Sequence, residues 1–146
     1  MKESIGIILV LCMIVCFAGC TSHMAYTYSV ETGDSIKVSL DTSDGYSITA
    51  EVPFAISVNG EKQTDGTFIY GEMYQQYVEV VNSTEGAEVL DSGTKDGNTY
   101  IFWTYNGEYN YAIQVGNSNT GMILGNVVSE DSARACFERL TISVAD

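Results

Sequence analysis

Tyr100-Ile101-Phe102-Trp103-Thr104-Tyr105-Asn106-Gly107-Glu108-Tyr109-Asn110-Tyr111-Ala112-Ile113-Gln114-Val115 is the stretch whose reading decides the fold. Two runs rich in aromatic and β-branched residues flank Asn106-Gly107, the strongest short-range signal for a two-residue hairpin. A two-residue turn sets the register. Tyr105 falls opposite Glu108, Trp103 opposite Asn110 and Ile101 opposite Ala112. One face then carries Tyr100, Phe102, Tyr109, Tyr111, Ile113 and Val115, the expected core face. The other carries Ile101, Trp103 and Tyr105 beside Glu108, Asn110, Ala112 and Gln114.

The same alternation continues on both sides. Tyr26, Tyr28 and Val30, then Ile36, Val38 and Leu40, flank Glu31-Thr32-Gly33-Asp34 and predict a hairpin. Tyr46, Ile48, Ala50 and Val52 predict a strand, and Pro53 belongs at a strand end or edge. Phe54 to Val58 runs to Asn59-Gly60, and Asp65-Gly66 is expected to open a short strand over residues 67–70. Residues 87–90 and 122–128 are further strands, and residues 116–121 form a hairpin loop. Within residues 72–82, Met73, Tyr77, Val80 and Val81 share one helical face. Tyr77 to Val80 alone would read as strand, but the helical spacing holds for three turns. Ser129 caps a second helix at about 130–140, with Glu130 and Asp131 in its first turn and Arg139 in its last. Residues 141–144 close the chain as an extended segment. The order predicts an α+β domain: an antiparallel β-sheet packed by one or two helices, including the C-terminal one. The ending Ser129-Glu130-Asp131-Ser132-Ala133-Arg134-Ala135-Cys136-Phe137-Glu138-Arg139-Leu140-Thr141-Ile142-Ser143-Val144 is similar to that of PsbP-like domains. That resemblance implies a helix with an Ala/Phe/Leu face over an antiparallel sheet, and a non-enzymatic extracytoplasmic accessory role.

At the N-terminus an apolar run from Ile5 to Phe17 precedes Ala18-Gly19-Cys20. The run has the length of a secretory signal and is short for a membrane span, which needs about 20 apolar residues. Ala18-Gly19-Cys20 resembles the lipobox of bacterial lipoproteins. The resemblance implies a signal peptide over residues 1–19, diacylglyceryl transfer to Cys20, cleavage before it and N-acylation of the new terminus. The other readings are an ordinary cleaved signal and an uncleaved anchor. Residues 20–24 are then a lipidated tether and residues 25–146 a single domain, held on the extracytoplasmic face of the cell membrane.

The chain carries a formal net charge of −13. Lys2 and Glu3 cancel, so removal of residues 1–19 leaves that charge in place. A nucleic-acid partner is excluded, because phosphate recognition needs clustered Lys and Arg. Anionic lipid headgroups repel such a chain, so acyl chains must supply its membrane affinity.

Few residues can carry chemistry. Of four cysteines, only Cys136 lies outside the signal and lipidation sites. Ala133, Cys136, Phe137 and Leu140 fall on one helical face, which predicts a buried, inert thiol. The sole histidine, His23, lies in the tether, so the domain has no imidazole for nucleophilic catalysis or the usual zinc sites. Asp41-x-x-Asp44-Gly45 lacks the register of a calcium loop and reads as a turn. No metal or cofactor is expected. Ile101, Trp103, Tyr105 and Asn110 remain as a candidate binding surface, since Trp and Tyr framed by polar groups are typical anchors. The alternative is that another layer covers them. The sequence therefore predicts a lipid-anchored binding or accessory module whose partner is a protein or an envelope polymer. The alternative is a carboxylate-dependent hydrolase of a cell-envelope glycan, which would require a cleft with two facing carboxylates.

Overall fold

The computed structural model describes residues 14–18 and 21–145. Among the described residues the chain is mostly antiparallel strand, with two α-helices, one of them C-terminal. One sheet is formed by β1 (Ile14–Ala18), β2 (Thr21–Ser29), β3 (Ser35–Asp41) and β11 (Leu140–Val144), in the order β1-β2-β3-β11. The second contains β4 (Tyr46–Ile48), β5 (Phe54–Val58), β6 (Glu61–Tyr70), β7 (Glu88–Lys95), β8 (Asn98–Tyr105), β9 (Glu108–Gln114) and β10 (Thr120–Asn126). Its order is β4-β5-β6-β10-β9-β8-β7. Helices α1 (Met73–Ser83) and α2 (Glu130–Arg139) complete the chain.

The hairpin read from residues 100–115 has the expected register, with Trp103 opposite Asn110 and Ile101 opposite Ala112. Asn106 and Gly107 both adopt positive φ, at 50° and 77°, as the tight primed turn requires. Phe102, Tyr111, Ile113 and Val115 are buried. They meet Tyr28, Ile36, Val38 and Leu40 of the other sheet and Ala133, Cys136 and Phe137 of α2 in one core. The rings of Phe102, Tyr111 and Phe137 stack in sequence, with centroids 4.1 Å apart at each step. Ser129 Oγ caps α2 by accepting from the Ser132 N–H at 3.0 Å.

Four sequence expectations are corrected. The strands form two sheets rather than one, because Leu140–Val144 pairs with β3 and closes a separate layer. Alternation fixes which face a residue buries, not which strand lies next to it. Thr21–Met24, expected as a tether, begin β2, with His23 opposite Asp41 and Met24 opposite Leu40. The strand from Tyr46 ends at Ile48, and Ala50 and Val52 lie in the following loop, packed against the core. Asp65-Gly66 lies inside the ten-residue β6 rather than at a turn. Gly66 pairs with Phe54, and a Cβ there would stand 2.1 Å from Phe54 Cζ. The aromatic ring takes the space a side chain would fill.

Sheet edges need protection from unwanted pairing. Two outer carbonyls of β11 accept from the opposite sheet. Lys95 Nζ donates to the Leu140 carbonyl, and Asn98 Nδ2 to that of Ile142 at 2.8 Å. Asn98 Oδ1 also accepts from the Gly116 N–H at 2.9 Å, so one buried side chain locks the two layers together. Edge strand β7 carries a bulge between Val89 and Asp91, and β4 is three residues long. The outer edge of β2 is covered by β1, with Ile14 opposite Ala25 and Ala18 opposite Thr21.

Candidate functional site

The four residues expected as a binding surface do not form one. Helix α1 forms over residues 73–83, where the helical spacing predicted it, and lays Tyr74, Tyr77, Val78 and Val81 on that side of the sheet, whereas Val80, expected on the same face, is exposed. Ile101 is 4 % exposed and Trp103 is 8 % exposed. Val81, Ala112, Tyr74, Tyr77 and Val78 surround them, and the Tyr77 ring centroid lies 6.1 Å from that of Trp103. Tyr105 is exposed and Asn110 half-buried beyond this cluster. The exposed-anchor reading of Trp103 is thus corrected: it belongs to a second, smaller core. Cys20 lies outside the described residues. Cys136 is 1 % exposed, and burial raises its thiol pKa above the ordinary value.

A different surface is assembled from segments far apart in sequence. The turn after β2, the end of β6 with the start of α1, and the β9–β10 loop converge on two adjoining hollows that share Thr32 and Tyr70. One hollow, of about 480 Å³, is polar and is lined by Gly71, Glu72, Gln114, Ser118 and Asn119. The other, of about 80 Å³, is walled by Val30, Phe68, Ile69 and Met73, with Glu31 at its rim. Tyr70, 41 % exposed, lies between them.

Hydrogen bonds hold these segments in register. Thr32 Oγ1 lies 2.6 Å from Thr120 Oγ1, which donates to Asp34 Oδ2 at 2.7 Å. The Asn119 N–H donates to the same carboxylate oxygen at 2.9 Å. The Gly71 N–H donates to the Asn119 carbonyl at 2.8 Å, and Gln114 Nε2 to that of Ser118 at 2.9 Å. A Cβ on Gly71 would come within 2.9 Å of Gln114 Oε1 and 3.1 Å of the Asn119 backbone, so this close crossing favours glycine.

No Lys or Arg lines either hollow, whereas Glu31 and Glu72 do. The groove therefore suits neutral or cationic groups. Ser118 Oγ is committed to the Val115 carbonyl at 2.6 Å and has no imidazole beside it. The arrangement can offer an aromatic face, amides, a hydroxyl and a carboxylate to a ligand.

The carboxylates that share hollows lie elsewhere. Glu61 and Asp131 line one open depression, and Asp41 and Glu138 another. Asp41 accepts from Ser43 Oγ at 2.7 Å and from the Ser43 N–H at 3.0 Å. These bonds, with the nearby Arg139 guanidinium, hold its carboxyl below the usual range, the opposite of what a general acid needs. Among the described residues no three His, Cys, Asp or Glu side chains are grouped to hold a metal ion, and no helix is long and apolar enough to cross a membrane. No family model matches the chain, and neither the curated proteins nor the solved structures contain a match to it.

Proposed function

We propose that this chain is a lipid-anchored, extracytoplasmic binding module that acts without catalysis and recognises its partner through the groove around Tyr70. The observation that carries the reading is the placement of the two ends of β2. The strand starts at Thr21, next to the lipobox cysteine, and ends at Ser29, next to the groove residues Val30 and Thr32. Nine residues at about 3.3 Å each separate the attachment point from the groove by roughly 30 Å. The acyl chains and the partner then do not compete for one surface. The partner is a protein or envelope polymer presenting neutral or cationic polar groups beside an apolar one.

Two measurements test this. Mass spectrometry of the membrane-extracted chain is expected to find an acylated Cys20 as the first residue, and Cys20→Ala to release the domain or leave residues 1–19 attached. An unacylated, membrane-bound chain starting elsewhere would sink the anchor. Binding to envelope polymers and extracytoplasmic proteins, with and without Tyr70→Ala, tests the groove. An interface aromatic costs about 2 kcal/mol or more on truncation. Folding stability, by contrast, moves by no more than about 0.5 kcal/mol for a surface change. Equal binding by the variant would place recognition elsewhere.

A further inference from the structure

Processing at Cys20 would remove β1 and uncover a sheet edge. We infer that the freed edge of β2 pairs with the same edge of a second copy, antiparallel and about a two-fold axis at His23. The inference rests on the reading of residues 1–19 as a cleaved signal.

Backbone geometry gives the edge its direction. The Thr42 N–H donates to the Ser22 carbonyl at 2.8 Å, so the even-numbered residues of β2 point their backbone groups at β3. The odd-numbered residues, Thr21, His23 and Ala25 among them, point theirs at β1. Loss of β1 leaves three N–H and three C=O groups in a row with no strand beside them. The other edges are guarded by side chains, by a bulge or by shortness, as described above.

Charge selects the occupant. The stretch from Cys20 to Val30 contains no Asp, Glu, Lys or Arg, in a chain of net charge −13. Two such chains repel over most of their surfaces, and this acid-free edge is where they can approach. The edge already accepts an antiparallel strand, since β1 pairs there from Thr21 to Ala25. The same five residues of a second copy satisfy the same pattern, with Thr21 opposite Ala25 of the partner copy. Both copies carry their lipid at Cys20, so both edges lie at the membrane surface, where confinement raises their effective concentration. A two-fold contact of this kind uses the same five residues of both copies and so closes at two.

The test uses the lipidated chain in its own membrane. In a hydrogen-bonded antiparallel pair the facing Cα atoms lie about 5.5 Å apart, within the disulfide range. His23→Cys is therefore expected to form a covalent dimer under mild oxidation, about tenfold more than Val80→Cys, a control on the exposed face of α1. Adding Ala25→Pro removes an outward N–H but none of those facing β3, and is expected to abolish the dimer while Trp103 emission stays unchanged. Ala25→Cys, tried alone, covers a register shifted by two residues. Failure of both cysteine variants to exceed the control, in a chain whose mass shows processing, would overturn the dimer and leave the anchor intact. A mass that retains residues 1–19 would overturn both.

Discussion

Trp103 shows how one residue changes meaning once its neighbours are known. On the hairpin it faces away from the main core, opposite Asn110. In the folded chain it sits under α1 against Tyr77 and Val81. Its emission is expected to be blue-shifted and protected from small-solute quenchers. Trp103→Ala is expected to destabilise by about 3–5 kcal/mol, because a large buried side chain leaves a cavity. Denaturant unfolding measures that loss, and a loss below about 1 kcal/mol would mean that α1 does not cover the site. The register of Trp103 was legible because Asn106-Gly107 is a local signal. Its burial was not, because the covering residues lie some 20–30 positions away. Tyr70 was missed for the same reason. It stands at the end of an unremarkable strand, and only the approach of Thr32 and Asn119 makes it part of a groove. The one local hint was Gly71 beside it.

At the scale of elements, the end of β3 is tied to the end of α2 by charge. Arg139 Nη2 donates to Asp44 Oδ2 at 2.8 Å, and its Nη1 to the Ser43 carbonyl at 2.9 Å. Its guanidinium lies 3.9 Å from the Tyr46 ring centroid. Asp41, 3.6 Å from Nη1, joins the group, and the hydrogen bonds from Ser43, with a smaller contribution from Arg139, hold its pKa below the ordinary 3.8. A carboxyl with a depressed folded-state pKa contributes stability that is fully present above its unfolded value. That contribution is lost as pH falls through the folded value. Asp41→Asn is therefore expected to lower stability at neutral pH and to flatten its decline below about pH 4. Urea titrations at stepped pH check this, and parallel curves for the two proteins would contradict it. Both helices were legible as elements: α2 from its cap, first-turn acids and last-turn Arg139, α1 from three turns of apolar spacing. The strand at Glu61–Tyr70 was not, because Gly66 mimics a turn until Phe54 is seen to fill its space.

Across the whole molecule, Asn98 is the clasp between layers. It answers the Ile142 carbonyl on one side and the Gly116 N–H on the other. Asn98→Leu is expected to strand both groups and to cost about 1–3 kcal/mol for each group left unpaired. Hydrogen exchange is expected to rise first in β11. Unchanged exchange there would show that Lys95 holds the edge alone. Composition and local pattern determined a great deal about this protein: mostly antiparallel strands, two helices and a buried Cys136. Those properties depend on periods of 2 and 3.6 residues, and on cap and turn residues that act within a few positions. Only the tertiary structure decided that there are two sheets, that α1 covers Trp103, and that Thr32, Tyr70 and Asn119 meet. Each of these is a choice of neighbour between surfaces that are equally apolar or equally polar in the sequence. Hydrophobic burial is non-directional, so a pattern states what must be covered, and packing alone states by what.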